Sequence, residues 1–561
     1  MSRAPAQQLL APLCLALSLV VACQRSTQVA PSPVPVWART GNFSFARWDG
    51  GPLEVSKGTL SGWPGLAPPD PQVVGATQDL YDVAHLELLQ RAHIDWIWVT
   101  WSVGFSDQTE ATQQAQLRRF IQACHQRGIH VTAYLSIGNL FWEDMFRFVP
   151  ESQQWVLRSN GQPVPYGTAD YGAVGHVTRY LADLSVPAWQ EYTVARVLAA
   201  VDAGADGVMF DNNSALYDRS LLANFTARVL AQARQRNPEV LVSSNYGRAM
   251  ALLARSENSI TSEQGTEPGV FPSAGPPPDR WNAAADLLPV TSGFLAMNVG
   301  LLRTLWAVSE GARPVSVEYG SRHVGDRFLN LMRARHQKLA LAECAAFHAT
   351  NEQYHESYTL RDLFSGDAAA ADNWAAVSSY NAFLQQRADL YREPRSAAGI
   401  AVVVDAQVTD LAFLNTLAAS NVIYDVIFEQ DATAQRLAAY RLVVAAPAVS
   451  LRAGWRRYPE LSSADIAAAS PGTVTAPDSV IANIHGQARG RRLLVHLLNY
   501  ADAPVFGIEI TLRTAMARAQ LLSPDLPPLT LPVEVQSGLS HVRVPELQTY
   551  DVVVLEPVGV E

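Results

Sequence analysis

Gly204-Ala205-Asp206-Gly207-Val208-Met209-Phe210-Asp211-Asn212-Asn213 is the stretch on which the fold turns. Its small residues make a tight helix-to-strand turn, Val208-Met209-Phe210 fits a strand covered on both faces, and polarity begins abruptly at Asp211. A carboxylate delivered at the carboxyl end of a buried strand is where a barrel of alternating strands and helices keeps its chemistry. The structural alternative is an Asp that caps a following helix beginning near Ser214 or Ser220.

Outward from this segment, residues 77–350 alternate short apolar runs with amphipathic stretches, the pattern of a parallel sheet wrapped by helices. Residues 96–100 read as a first strand, 117–127 as its helix, and 130–135 as the second strand after the Gly128 stop. A third strand is expected between Trp155 and Leu184, at 179–184, after a Gly-rich excursion over 160–175. The fourth ends at Asp211, and 240–245, 259–263, 314–318 and 345–350 complete eight. The fold class is therefore α/β, a (β/α)8 TIM barrel. A doubly wound open sheet would want a glycine-rich phosphate loop after an early strand, and neither G-x-G-x-x-G nor G-x-x-x-x-G-K-[ST] occurs in a suitable place.

On this assignment Asp211, Glu263 and Glu318 end strands four, six and seven and project into one mouth. Acetal hydrolysis needs one carboxyl to protonate the leaving oxygen and another to attack the anomeric carbon or activate water, and two acids in one pocket push their pKa values apart. Asp211 is expected as nucleophile and Glu263 as acid/base, with Glu318 the alternative acid/base or a ligand of sugar hydroxyls. The structural reading of each acid is an ion pair, with Arg248 or Arg322 for example. Sugar rings stack apolar C–H faces on aromatic side chains and need amides for their hydroxyls. Trp98, Trp101, Tyr134, Phe141, Trp142, Tyr166, Tyr246 and Tyr319 fall at expected strand ends or in the long loop, with Asn139, Asn212 and Asn245 beside them. His348, at the expected end of strand eight, is a further ligand contact or a structural histidine.

Residues 187–212, with Pro187-Ala188-Trp189-Gln190-Glu191-Tyr192 followed by the opening segment, resemble a group of bacterial glycoside hydrolases with barrel catalytic domains. Those proteins are similar to the superfamily of α-galactosidases, α-glucosidases and α-fucosidases. The resemblance implies a strand-four Asp nucleophile, at Asp211, and a strand-six acid/base, at Glu263. Trimer-forming β-galactosidases instead use a strand-four Glu preceded by Asn and a strand-seven Glu; Glu318 fits the second position, and Asp211 departs from the first. The competing function is a non-catalytic glycan-binding surface lipoprotein on a barrel scaffold. Hydrolysis of a phosphodiester or amide would want a metal cluster or an activated Ser or Cys, and the sequence has no grouped ligands and no G-x-S-x-G.

Composition agrees with a large enzyme: 48% hydrophobic, 17% charged, and a net charge of −10 that argues against nucleic acid as partner. Arg3 followed by apolar 9–21, too short for an ordinary transmembrane helix, reads as a secretory signal. Val20-Val21-Ala22-Cys23 resembles the bacterial lipobox, which implies lipidation at Cys23 and a cell-envelope location in which the membrane is met only through the anchor. Residues 24–35 make a Ser/Pro linker. Cys124 and Cys344 are too widely spaced for a zinc knuckle and are expected as buried thiols, with no metal and no cofactor.

The expected organisation is a signal over 1–23, a linker and irregular apron over 24–74, the barrel over 75–355, a helical connection with a small α/β unit over 356–455, and an antiparallel β-sandwich over 475–561. The small unit, with strands near 401–404, 424–428 and 442–446, resembles an abbreviated β-galactosidase trimerisation domain. That resemblance implies association and leaves a homo-oligomer open.

Overall fold

The computed structural model describes residues 34–39, 44–49, 79–170, 176–212, 218–245, 256–271, 288–290, 293–311, 313–319, 322–324, 327–329, 332–487 and 492–557. Eight parallel strands form one sheet: β1 Phe45–Asp49, β2 Trp96–Ser102, β3 His130–Ser136, β4 Gly207–Asp211, β5 Leu241–Ser244, β6 Ile260–Gly265, β7 Val315–Tyr319 and β8 Thr350–Glu356. Their spatial order is 5-4-3-2-1-8-7-6. The two edges meet in a parallel bridge between Asn245 and Thr261, and the Thr261 hydroxyl donates to Ser243 Oγ at 3.1 Å, so the barrel is nearly closed.

Three assignments differ from the sequence reading. Phe45–Asp49, expected in the apron, is the first barrel strand, paired with β2 and β8. The segment expected as the third strand lies instead in His176–Leu181, which pairs antiparallel with Asn139–Phe141 and Pro165–Asp170 outside the barrel sheet. The eighth strand begins at Thr350, because Ala345 and Ala346 are the last turn of the helix Ala334–Ala346.

Strand alternation divides the side chains into two layers. Inward Phe45, Trp96, Trp98, Met209 and Leu241 pack with Val34 and Ala38. The short helix Val36–Arg39 fits against this floor: Val36 N–H donates to Glu239 Oε2 at 2.7 Å, and the Trp37 ring stacks on His130 at 4.0 Å. Outward Ile97, Val99, Val131, Ala133, Leu135, Val208, Phe210, Val242, Val315 and Val317 share one core with the surrounding helices. Burying each Val, Leu, Ile or Phe there contributes ~1.5–3 kcal/mol. The helix after Asp211, Arg219–Arg236, is capped by Asp218, whose Oδ1 accepts from Ser220 and Leu221 N–H. Asp211 is thus released from the capping role.

Beyond the barrel, Tyr424–Phe428, Ile400–Val404 and Leu442–Ala445 form a three-stranded parallel sheet with Ile400–Val404 in the middle. The C-terminal region is rich in antiparallel strands: a six-stranded and a four-stranded sheet contribute Ile484, Val495, Leu497, Ile508, Ile510, Val544 and Val553 to one apolar cluster. It is tied to the barrel through buried Glu343, which accepts from Tyr319 OH at 2.6 Å, from Asn298 Nδ2 at 2.8 Å and from Tyr500 OH at 2.5 Å. Cys124 and Cys344 are buried free thiols. No helix among the described residues is long and apolar enough to cross a membrane.

Candidate active site

Asp211 ends β4 half-buried, and each of its oxygens accepts a hydrogen bond: Oδ2 from Tyr134 OH at 2.5 Å and Oδ1 from Asn245 Nδ2 at 2.8 Å. Asn245 stands just past β5, and its Oδ1 accepts from the Glu263 backbone N–H at 3.3 Å. One amide therefore links the two acids. Glu263 falls where the β6–β7 register shifts between Ser262 and Gly265, the kind of irregularity that re-aims a side chain. Its carboxyl is pushed up to about 8 by burial first and then by Asp211 and Glu318, against a hydrogen bond from Asn245 and the charge of Arg47.

Glu318 on β7 is buried and pairs with the Arg47 guanidinium at 3.6 Å, so its ion pair exists with a partner that sequence reasoning missed. A second missed group is Glu352 on β8, which accepts from Trp98 Nε1. Its carboxyl is raised to about 7 by burial, with Glu263 and Asp211 adding and Trp98 and Arg47 opposing. Both omissions trace to strand assignment: Arg47 and Glu352 are inward positions of β1 and β8, visible once Phe45 and Thr350 are taken as inward.

The aromatic expectations divide. Tyr134 lies in the site, held protonated by burial and by Asp211 beside it. Trp98 is in the site but fully buried, covered by the Tyr134 ring at 4.8 Å and by Arg47 at 4.5 Å, so it is floor rather than an open sugar platform. Trp101 does not belong: it is an outward residue of β2, buried in the barrel–helix core. Phe141 and Tyr319 are likewise buried, stacked on Phe105 at 4.0 Å and bonded to Glu343 respectively. Tyr166 lies half-buried under Arg179 at 4.2 Å, and burial and Asp211 push its phenol to about 12.

Asn212, at φ 58°, donates to Ser136 Oγ at 2.8 Å and braces the end of β4 against β3. Asn139 is fully buried, accepts from Ser136 Oγ at 2.5 Å and donates to Val103 O at 3.2 Å, so it shapes the loop and is closed to a ligand. His348 precedes β8 and lies at the opposite end from the acids, half-buried and packed against Trp306 and His485. It is structural because the strand starts two residues after it. Tyr246, Arg248 and Cys23 lie outside the described residues.

No family model matches the chain, and no curated protein sequence matches it. Its fold is similar to that of alpha-L-fucosidase isoenzyme 2 from Paenibacillus thiaminolyticus, with TM-score 0.60 at 13% identity, over 85% of this chain and 96% of that one. It also aligns with a Paenibacillus sp. cycloisomaltooligosaccharide glucanotransferase, with TM-score 0.48 at 10% identity, over 92% and 85%. A debranching enzyme from Nostoc punctiforme aligns with TM-score 0.46 at 12% identity, over 93% and 99%. At 13% identity the fucosidase likeness concerns the fold alone.

Proposed function

We propose that this chain is a secreted, lipid-anchored glycoside hydrolase that cleaves O-glycosidic bonds of oligo- or polysaccharides by a retaining, two-carboxylate mechanism. The observation that carries the reading is the pair Asp211 and Glu263, joined through Asn245, with Glu263 raised to about 8 and so protonated at neutral pH. Glu263 gives its proton to the glycosidic oxygen as the Asp211 carboxylate attacks the anomeric carbon; the C–O bond breaks and an ester to Asp211 forms. Glu263, now a carboxylate, takes a proton from water, whose oxygen attacks the same carbon and releases Asp211.

Glu318, paired with Arg47, is assigned to substrate hydroxyls and to setting the field around Glu263. The likeness to a fucosidase in fold is consistent with a sugar substrate and leaves the sugar open. Lipidation of Cys23 puts the barrel on the cell envelope. The C-terminal antiparallel sheets act as a sandwich bracing the barrel, and the three-stranded parallel unit as an association element.

The test is a screen of protein truncated after Cys23 against α- and β-linked aryl glycosides and natural polysaccharides, with Asp211→Asn beside it. Hydrolysis by the parent that the variant loses is the expected result, and an NMR time course of the released anomer checks retention. Silence from both with sugar binding retained would replace this reading with the glycan-binding lipoprotein.

A further inference from the structure

Away from the mouth, a cavity of about 510 Å³ opens where three parts of the chain meet. Its walls come from the helix Val299–Ser309, from Pro394–Ser396 and from the strand Tyr424–Phe428 with its following segment. Glu310 and Gly311 in its rim precede β7, which enters the barrel at Val315 and reaches the acid-lined mouth only with Glu318. The cavity therefore lies toward the opposite end of the barrel from Asp211, and its size is within the ~300–1,000 Å³ range of small-molecule sites.

The lining has a definite chemistry. Arg303 is nine-tenths buried, with Nη1 donating to Tyr424 O at 2.5 Å and Nη2 to Asn483 Oδ1 at 3.0 Å. Its buried Nε–H finds no acceptor among the described residues. Asp425 accepts one bond on each oxygen, from Ser396 Oγ at 2.8 Å and from Tyr440 OH at 2.9 Å, and a carboxylate holding one bond per oxygen keeps capacity for more. Arg436 and Glu310 are exposed at the rim. Two guanidiniums and two carboxylates thus line one cavity, a balance that favours a neutral ligand rich in both donors and acceptors over an anion or a cation.

Two half-buried aromatics, Trp306 and Tyr440, supply the apolar surface. The Trp306 ring is backed by His348 at 4.7 Å, which fixes its plane, and a side chain at Gly311 would begin 3.2 Å from the indole. Aromatic faces beside carboxylates and guanidiniums match the alternating C–H and hydroxyl faces of a pyranose. We propose that this cavity is a second carbohydrate-binding site, distinct from the acid-lined mouth, for a neutral mono- or disaccharide seated on Trp306 and hydrogen-bonded by Asp425, Arg303 and Arg436.

The experiment measures equilibrium binding by the full chain with calorimetry and indole fluorescence, using D-glucose, D-galactose, L-fucose, D-xylose, maltose and lactose, with glycine as a zwitterionic control. Saturable binding of at least one sugar is expected, preserved in Asp211→Asn and weakened about tenfold in Trp306→Ala and in Arg436→Ala. Arg436 is exposed, so its variant decides the matter if Trp306→Ala folds poorly. Absence of saturable sugar binding overturns the proposal. So does binding that Asp211→Asn abolishes while Arg436→Ala retains it, and so does saturation by glycine in place of the sugars. Because the same sugars are titrated into Asp211→Asn, which lacks the proposed nucleophile, the result is independent of whether the mouth hydrolyses glycosides.

Discussion

Asn245→Ala tests the link between the two acids more sharply than replacing either acid, because it leaves both carboxyls in place. The substitution removes the donor at 2.8 Å from Asp211 Oδ1 and the acceptor of the Glu263 N–H. A hydrogen bond to a charged group is worth ~1.5–3 kcal/mol, and at about 1.4 kcal/mol per tenfold this predicts a fall in kcat/KM of roughly 10- to 150-fold. A second consequence has a fixed sign. The Asn245 hydrogen bond holds the Glu263 carboxyl down against burial, so its loss lifts that carboxyl further above about 8. The acid must be protonated to act, so the alkaline limb of the kcat/KM profile moves to higher pH. The assay is the pH dependence of kcat/KM on whichever aryl glycoside the screen identifies. An unchanged rate, or an alkaline limb that moves down, refutes the bridging role.

Glu352 is raised from 4.5 to about 7 on folding, so its contribution to stability is fully present below 4.5 and is lost as pH rises through about 7. At ~1.36 kcal/mol per unit this is on the order of 3 kcal/mol, and Glu352→Gln should flatten that limb of the unfolding free energy in denaturant titrations; parallel curves would count against it. His485, buried between His348 and His496, is lowered from 6.5 to about 4, so the stability it supplies is complete above 6.5 and lost as pH falls through about 4. His485→Leu should therefore move the acid-unfolding midpoint to lower pH, read by circular dichroism. Gly138→Ala would place a Cβ 1.6 Å from Asn212 O, forcing the loop after β3 off the end of β4. A loss of at least ~1–3 kcal/mol in stability, with a large fall in hydrolysis, is expected from thermal melts and the glycoside assay.

What the sequence revealed followed from where charge falls along a strand. Segments β2 to β5 and β7 announce themselves because their outward positions are apolar, as Val131-x-Ala133-x-Leu135 in β3 and Val208-x-Phe210 in β4, and β6 through Ile260 followed by the acid Glu263. In β1, Phe45-Ala46-Arg47-Trp48-Asp49, charges occupy alternate positions and break the apolar run, although Ala46 and Trp48 are fully buried. In β8, Thr350-Asn351-Glu352-Gln353 is polar on both faces, with Asn351 and Gln353 bonded to Val317 O and to Asn381 behind the barrel. The apolar residues just before it, Ala345-Ala346-Phe347, attracted the strand assignment and end a helix instead. Two missed strands concealed two site residues, Arg47 and Glu352, for a single reason: periodicity detects apolar burial, and the upper layer of this barrel is filled with charge.

That charge explains why β1 belongs to the site as much as to the fold. Asp211 and Glu318 raise the carboxyl of Glu263, Asp211 and Glu263 raise that of Glu352, and the Arg47 guanidinium opposes both shifts. Four ionised carboxyls grouped beside Arg47 in a largely buried site would repel strongly. The structure relieves this in two ways: Glu318 takes the ion pair, and burial keeps the protons of Glu263 and Glu352 bound to higher pH. Asp211 is left facing neutral donors, the Tyr134 hydroxyl and the Asn245 amide. On the proposed reading this concentrates negative charge at the one carboxylate that must meet a developing oxocarbenium ion, with a proton stored on its neighbour across the Asn245 bridge. Arg47 therefore does by charge what β1 does by hydrogen bonding, and a barrel begun at β2 would lack both.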